Sequence, residues 1–254
     1  MERVGTYKEL AKYYDLVYAQ KDYEKESKEI ETLIRKYKRS DGNSLLEVAC
    51  GTGRYLEYLN KDFSCVGLDL NEEMLKLARK RVPGIRLIKE DMINFKLNRK
   101  FDIIICLFSS ISYVKTYENL EKTLKNFSKH TKLGGIVIIE PWFTKAEYKL
   151  GEPHLAVFQS NEIKIARANV TKARGMVSIL ERHNLIAEKN KDVRYFVSTD
   201  ELGMFEISRF LKLMKSAGFD ATFLKSLSLY KAKKKGRLAG YRIKGLYVGI
   251  KAQT

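Results

Sequence analysis

The 254-residue sequence has little cysteine, little proline and no long hydrophobic run. Its three cysteines, Cys50, Cys65 and Cys106, form none of the close pairs used by zinc sites and redox dithiols, so we predict reduced structural thiols and no metal site. Apolar runs such as residues 103–108 are far shorter than the roughly 20 residues of a membrane helix and are typical of buried strands. We therefore expect no association with a membrane.

A secretory signal is also missing from the sequence. The N-terminus runs directly into a polar, amphipathic segment, residues 7–38, without an apolar stretch or a small-residue cleavage site. This start predicts a cytoplasmic protein.

Acidic residues are outnumbered, since 48 Lys and Arg face 31 Asp and Glu and give a formal net charge of +17. Such a charge raises the hypothesis of a nucleic-acid ligand, because phosphate contacts reward Lys and Arg. The lysines are scattered among glutamates, however, and only residues 231–237 form a true basic run. Abundant Lys, Glu and Ile with only three prolines also fit a heat-adapted surface, which we favour over nucleic-acid binding.

Strand-like and helix-like segments alternate over the first 141 residues. Buried strands are predicted at residues 44–49, 65–70, 85–89, 101–108 and 136–140. Helical periodicity runs through residues 7–38, and further helices are predicted at residues 54–60, 72–81 and 117–131, with Asn71 as an N-cap and a turn at residues 133–135. This alternation is typical of a doubly wound, mostly parallel sheet.

The pattern changes after Pro141. Residues 163–170, 176–185 and 193–198 have strand periodicity without helices between them, which predicts antiparallel hairpins with turns at Gly175 and residues 189–192. A helix follows at residues 206–217, ended by Gly218, and strands at residues 221–229 and 244–252 complete the sheet. We predict a main domain of residues 1–141 and 206–254, with an N-terminal helical lid, and a small antiparallel β insertion of residues 142–205.

The first predicted strand ends in a glycine-containing loop that suits a ligand. Gly51 and Gly53 stand in a strand-to-helix crossing, where missing side chains let a ligand approach the backbone. Asp69 ends the second strand, where a carboxylate can accept both hydroxyls of a ribose. Position 56 is Leu, where a dinucleotide fingerprint has a third glycine, and this disfavours a pyrophosphate-linked dinucleotide.

Together with Glu47 ahead of the glycines, this pattern resembles the class I S-adenosylmethionine-dependent methyltransferases. The resemblance implies a Rossmann-like α/β fold, a seven-stranded, mostly parallel sheet with helices on both faces, and S-adenosylmethionine as the cofactor. It implies that the cofactor is bound by Glu47, Ala49, Gly51, Gly53, Asp69, Leu70, Asp91, Met92, Leu107 and Phe108. The glycine loop would line the methionine part, Asp69 the ribose, Asp91 the adenine amine and Met92 the adenine ring. Taken alone, Asp91 is as well explained by a turn or a helix cap.

Two later phrases resemble a narrower family, the N,N-dimethyltransferases of nucleotide-linked amino sugars. They are Phe-Ser-Ser-Ile-Ser-Tyr at residues 108–113 and Glu-Pro-Trp at residues 140–142, with further matches at residues 13–16, 21–23 and 245–249. The resemblance covers nearly the whole chain and is thin within the insertion. It implies N-methylation of a small-molecule amine such as a nucleotide-linked amino sugar.

The resemblance also implies residues for the acceptor side. Tyr113 is the candidate catalytic residue, and because its ordinary pKa is near 10 we expect it to orient the amine before it transfers a proton. Tyr14 and Tyr23 would close over the cofactor, or simply pack on the N-terminal helix. The remaining candidates for substrate binding are Trp142, Arg242 and Lys244. The last two would be cations for a diphosphate, or equally well solvated charges on an edge strand. Lys244 stands where the family tends to have Arg, and Lys lacks the bidentate fork.

Three alternatives stay open. The chain could methylate RNA, using residues 231–237 to bind phosphates, although it carries no recognisable RNA-binding module. It could instead be a non-catalytic S-adenosylmethionine-binding protein, since an intact cofactor loop does not require turnover. The third open point is the oligomeric state, since the chain could form a homodimer through the β insertion.

Overall fold

The computed structural model describes residues 2, 3, 5, 7, 9–225 and 245–252. The helices are α1 (Ala11–Val17), α2 (Tyr23–Tyr37), α3 (Leu56–Leu59), α4 (Glu72–Arg81), α5 (Tyr117–His130) and α6 (Ile207–Ser216), with a short 3-10 helix at Ser110–Val114. The strands are β1 (Glu2–Arg3), β2 (Ser44–Val48), β3 (Ser64–Asp69), β4 (Arg86–Lys89), β5 (Phe101–Cys106), β6 (Thr131–Ile139), β7 (Pro153–Gln159), β8 (Ile163–Val170), β9 (Lys172–Arg174), β10 (Val177–Glu188), β11 (Arg194–Gly203), β12 (Phe219–Lys225) and β13 (Gly245–Lys251).

Seven strands form the main sheet in the order β12-β13-β6-β5-β2-β3-β4. All neighbours are parallel except the pairs that involve β13. Successive strand residues face opposite sides: Ile104 packs with α5 and α6, whereas Ile103 and Ile105 pack with α2, α3 and α4. This confirms the predicted Rossmann-like sheet with helices on both faces.

A second, antiparallel sheet has the order β1-β11-β10-β8-β7, with β9 paired to β10. Strands at β8, β10 and β11 were predicted, but β7 was not, because its half-exposed residues lack a clear apolar alternation. The parallel pairing of β1 with β11 was also not predicted, and it brings the extreme N-terminus onto this sheet. The division of the chain into a main domain and an insertion stays a prediction.

Two local predictions are wrong. The helical segment of residues 7–38 is interrupted, since α1 ends at Val17 and α2 starts anew with Asp22 as N-cap, whose carboxylate accepts the Lys25 N–H at 3.0 Å. The predicted turn at residues 133–135 lies inside β6. There Gly134, at a φ of 72°, accepts two backbone hydrogen bonds from the chain that follows α2. Tertiary pairing therefore overrides the local turn signal of the glycines.

The end signals of two other helices are as predicted. Asn71 caps α4 by accepting the Glu73 and Met74 N–H groups at 2.9 and 3.1 Å. Gly218 follows α6 at a φ of 89°, a conformation that favours glycine after a helix. The predicted strand at residues 221–229 starts earlier, at Phe219, and is described as far as Lys225. Arg242, Lys244 and the basic run of residues 231–237 lie outside the described residues.

The three cysteines are free, as the sequence predicts. In the described part of the chain, no helix is both long and apolar enough to span a membrane.

A buried carboxylate fastens β5 to β2 and makes stability depend on pH. Asp102 is 1% exposed and accepts hydrogen bonds from the Ser44 N–H, the Ser44 hydroxyl and the Lys132 ammonium at 3.1, 2.6 and 2.8 Å. Burial acts to raise the pKa of Asp102, but these donors outweigh it and hold the pKa below its usual value. The stabilisation is therefore fully present above about pH 4 and is lost as the pH falls further.

We expect Asp102→Asn to lower the free energy of unfolding by about 2 kcal/mol at pH 7, since a buried acceptor loses its charge. The difference from the wild type should shrink as the pH falls below about 4, because the unfolded wild-type carboxylate then takes up a proton that the folded one resists. Urea denaturation across this range measures it. A difference that does not change with pH would contradict this account of Asp102.

Candidate active site

The loop after β2 presents bare backbone at the carboxyl end of the main sheet. Ala49, Gly51 and Gly53 all have positive φ, at 58°, 55° and 76°. A Cβ on Gly51 would only touch the Met74 methyl group at 3.4 Å, so the backbone conformation rather than space calls for glycine there. Ala49 adopts this conformation with a side chain, a strain that is typical of functional sites.

Asp69, at the end of β3, holds this loop. One carboxylate oxygen accepts the Gly51 N–H and the other accepts the Asn71 N–H, both at 2.8 Å. Burial raises the pKa of Asp69, while the backbone donors act against that rise. Each carboxylate oxygen can accept a second hydrogen bond. Asp69 can therefore shape the loop and still accept the hydroxyls of a ribose.

Glu47 lies beneath the loop and is 2% exposed. Burial, and then the charge of Asp69, raise its pKa well above the usual value, against the effect of a hydrogen bond from the Leu56 backbone. Its Oε2 has no hydrogen-bond partner among the described residues. An orphaned buried acceptor under a strained glycine loop fits a ligand that carries a hydrogen-bond donor, as the amino group of S-adenosylmethionine does.

The next loop, after β4, brings the two predicted adenine residues to the same edge. Asp91 is half-buried and accepts the Ile93 N–H at 2.9 Å, so it does form the turn that explains an isolated Asp. Met92 is also half-buried and packs against the main core. Leu70, which follows Asp69, is 64% exposed. The side chain of Leu107 is in the core, so only its backbone faces this edge.

Beyond β5 the chain is held in a second strained turn. Phe108 and Ser109 have φ values of 54° and 60°. The Phe108 N–H donates to the buried Glu140 carboxylate at 2.7 Å, and the Ser109 hydroxyl donates to the Pro141 carbonyl at 2.8 Å. Glu140 thus holds the backbone of the turn that carries Phe108, a role that the sequence motif did not reveal.

Four half-buried tyrosines form a cluster, here called the tyrosine wall: Tyr7, Tyr14, Tyr18 and Tyr113. The Tyr18 ring lies edge-on to Phe108 at 5.0 Å between centroids and 4.8 Å from the Tyr14 ring. The Tyr7 ring lies 6.0 Å from that of Tyr14, and the Tyr7 and Tyr113 hydroxyls are hydrogen-bonded to each other. Tyr14 and Tyr113 were predicted site residues; Tyr7 and Tyr18 were not.

Two arginines from the antiparallel sheet face this wall. Arg167, on β8, donates to the Tyr18 hydroxyl at 3.2 Å and stacks over its ring at 4.9 Å, while Arg182, on β10, pairs with Asp200. Burial acts to raise the pKa of Tyr18, but Arg167, Arg182 and Lys21 outweigh it and lower the pKa. Burial raises the pKa of Tyr113 to about 12. The wall is thus a hydrogen-bonding surface next to positive charge.

Comparisons with known proteins identify the family of this chain. A methyltransferase domain model matches residues 45–135. The dTDP-3-amino-3,4,6-trideoxy-alpha-D-glucopyranose N,N-dimethyltransferase of Streptomyces venezuelae is 34% identical over 95% of this chain and 98% of that protein. The dTDP-3-amino-3,6-dideoxy-alpha-D-glucopyranose N,N-dimethyltransferase of Streptomyces fradiae is 30% identical over 85% of this chain and 86% of that protein. The chain belongs to the family of nucleotide-linked amino-sugar N,N-dimethyltransferases, which are S-adenosylmethionine-dependent enzymes.

Solved structures agree with this membership. The methyltransferase matches the crystal structure of Streptomyces venezuelae DesVI with a TM-score of 0.85 at 34% identity, over 96% of this chain and 99% of that one. It matches CalS10, an amino pentose methyltransferase of Micromonospora echinaspora solved with bound S-adenosylmethionine, with a TM-score of 0.80 at 28% identity, over 94% and 96%. The cofactor of the methyltransferase described here is S-adenosylmethionine.

Two further predicted site residues of the methyltransferase, Tyr23 and Trp142, make contacts outside the four rings of the tyrosine wall. Tyr23 is 5% exposed and packs against Tyr55 at 5.1 Å, with the Arg54 guanidinium over its ring at 4.9 Å. The Trp142 indole N–H donates to the Ser178 hydroxyl of β10 at 2.9 Å, so Trp142 faces the antiparallel sheet. Roles for both in ligand binding stay predictions.

Sequence reasoning also missed Lys21. Its ammonium lies 4.6 Å from the centre of the Phe108 ring and forms an ion pair with Glu26. The signal that could have indicated Lys21 is its place in the phrase of residues 21–23 that matches the family.

Proposed function

We propose that this methyltransferase transfers methyl groups to the amino group of a nucleotide-linked sugar. The observation that carries the proposal is the tyrosine wall. In it, Tyr18 packs against Phe108 and accepts a hydrogen bond from Arg167 of the antiparallel sheet. The relatives named above act on dTDP-linked amino sugars, which supports the same acceptor class here.

When bound, S-adenosylmethionine supplies a methyl group that its sulfonium already activates. The residues of the enzyme therefore need to hold the amine in line and to exclude water, and they need little covalent chemistry. Phenol hydroxyls suit this task because each can accept a hydrogen bond from an amine N–H. We assign the orientation of the amine to Tyr113, with Tyr14 beside it.

We assign the cofactor contacts to the residues at the carboxyl edge of β2, β3 and β4. Glu47, Ala49, Gly51 and Gly53 would take the methionine part and Asp69 the ribose. Asp91 and Met92 would take the adenine, with Leu70, Phe108 and the Leu107 backbone around it. The support is the bare backbone of the loop, the free acceptor capacity of Asp69 and the orphaned Glu47 oxygen.

A nucleotide-linked acceptor also needs a cation for its diphosphate. Arg167 fits, since the partner described for its guanidinium is the Tyr18 hydroxyl and not a carboxylate. Its planar fork can bind phosphate oxygens in pairs. Arg242 and Lys244, the candidates from sequence, would add to it.

The proposed acceptor can be tested by calorimetry on the complex with S-adenosylhomocysteine. We expect a dTDP-linked amino sugar to bind, and Arg167→Gln to weaken that binding about tenfold by removing a charge-assisted hydrogen bond. Arg209→Gln is the control, since it removes an exposed arginine of α6 that stacks over Tyr117 and not over a residue of the tyrosine wall. Binding of RNA with a steep salt dependence, and none of the sugar nucleotide, would instead favour an RNA methyltransferase.

We expect Tyr113→Phe to raise the KM of the amine severalfold while the pH dependence of kcat stays unchanged. With its pKa raised to about 12 by burial, the Tyr113 phenol is protonated at neutral pH and is a poor base. Steady-state kinetics between pH 6 and about 9 measure both quantities. Loss of an ionisation from the kcat profile in Tyr113→Phe would show instead that Tyr113 takes the proton.

A further inference from the structure

An ion-paired contact joins helix α1 to the middle of the cofactor loop. The Asp15 carboxylate accepts the Thr52 hydroxyl at 2.8 Å with one oxygen and pairs with the Arg81 guanidinium, at the end of α4, with the other. Arg81 in turn donates to the Thr52 carbonyl at 3.0 Å. We call this closed ring of Asp15, Thr52 and Arg81 the latch.

The latch is placed where it can transmit a change in the cofactor loop to helix α1. Thr52 stands between Gly51 and Gly53 and is 2% exposed, and the Asp15 and Arg81 side chains are 26% and 21% exposed. Charged groups shielded in this way are screened less by solvent than a surface pair. Arg81 is held from a further side by Glu57 at 3.1 Å, which keeps its guanidinium fixed.

The same helix carries part of the tyrosine wall. Tyr14 immediately precedes Asp15, and Tyr18, at the end of α1, contacts both Phe108 and Arg167. Helix α1 has seven residues and no side-chain cap at its N-terminus, so it has little stability of its own. Its position therefore depends on tertiary contacts, and the latch is the one that leads to the cofactor loop.

We propose that Asp15 is a positioning residue that couples the cofactor loop to α1 through Thr52 and Arg81, so that cofactor binding orders the tyrosine wall before the acceptor binds. A cofactor that fixes the loop fixes Thr52, and Thr52 holds Asp15 in place. The coupling is reciprocal, so ordering of α1 strengthens cofactor binding in return. The proposal does not depend on the identity of the acceptor.

Hydrogen exchange measured by mass spectrometry on the full chain tests the coupling, with and without saturating S-adenosylhomocysteine. In the wild type, we expect the ligand to slow exchange both in the loop of residues 49–53 and in α1. In Asp15→Asn, we expect affinity for S-adenosylhomocysteine to fall about tenfold, because a charge-assisted contact is lost. At saturation, the loop should still be protected while α1 is not.

Asp220→Asn, an exposed acid on β12, removes the same charge far from the latch and should behave like the wild type. Thr52→Val replaces the hydroxyl with a methyl group and so removes one contact of the latch. This milder change tests the coupling if Asp15→Asn folds poorly. A double variant should cost less affinity than the sum of the two single changes.

Equal protection of α1 by the ligand in Asp15→Asn, Thr52→Val and the wild type would overturn the proposal. So would a wild-type α1 whose exchange is the same with and without ligand. No acceptor takes part in this experiment, so a failure of the proposed amino-sugar acceptor leaves its outcome unaffected.

Discussion

Asp69→Ala is expected to weaken S-adenosylhomocysteine binding by at least about 100-fold. The Asp69 carboxylate accepts the Gly51 and Asn71 N–H groups at 2.8 Å, so its loss releases the strained loop on one side and the end of β3 on the other. Hydrogen bonds to a charged acceptor contribute about 1.5–3 kcal/mol each, and 1.4 kcal/mol is a factor of ten in affinity. The contacts that we assign to the ribose would be lost as well. Isothermal titration calorimetry measures the change.

Glu72→Ala serves as the control for Asp69→Ala, because it removes an acid that lies on the surface of α4 close by. It should bind the ligand as the wild type does. Thermal unfolding of the unliganded proteins separates a damaged loop from a damaged fold. An Asp69→Ala protein that keeps its affinity within about threefold would contradict the site assigned here.

Glu140→Ala is expected to lower kcat/KM for methyl transfer by about 100-fold. The buried Glu140 carboxylate holds the Phe108 N–H at 2.7 Å, and Phe108 and Ser109 both stand in the strained left-handed conformation. Without that acceptor, the turn can relax and move the Phe108 ring against which Tyr18 packs. A displacement of about 1 Å in a site of this kind costs about 100-fold in rate. Steady-state kinetics with S-adenosylmethionine and an accepted amine measure the loss.

Glu140→Gln is the matched comparison, since its amide oxygen can still accept the Phe108 N–H. It should retain activity within about tenfold of the wild type, because a neutral acceptor is weaker than a charged one. Equal activity in Glu140→Ala and the wild type would show that the Phe108 turn does not need this contact.

The cofactor edge could be predicted from sequence because its determinants are local. Gly51 and Gly53 lie in the loop after β2 and Asp69 ends β3, and parallel strands bring their carboxyl ends to one edge. Asn71 caps α4 for an equally local reason, since its side chain accepts the N–H groups of the residues two and three positions ahead, Glu73 and Met74.

The tyrosine wall could not be assembled from sequence because its members meet from distant parts of the chain. Tyr7 bonds Tyr113 over 106 positions, and Arg167 bonds Tyr18 over 149. Nothing in the pattern around Arg167 separates it from the other arginines of a strongly basic chain. Tyr14 and Tyr18 are four residues apart and share a helix face, the one signal that could have indicated Tyr18.

The break between α1 and α2 and the strand β7 were missed for different physical reasons. Helical periodicity continues from residue 7 to 38, and only the capping contact of Asp22 shows where a new helix starts. Strand β7 is fixed by pairing with β8 along its whole length, while its own side chains are half exposed. Pairing of this kind leaves little trace in a hydrophobic pattern.

The most direct test of the proposed activity is mass spectrometry of the products after incubation of the enzyme with S-adenosylmethionine and a dTDP-linked amino sugar. We expect the sugar to gain one or two methyl groups on its nitrogen, with one S-adenosylhomocysteine released for each. A protein that binds S-adenosylhomocysteine yet leaves the amino sugar unchanged at every pH from 6 to about 9 would contradict it.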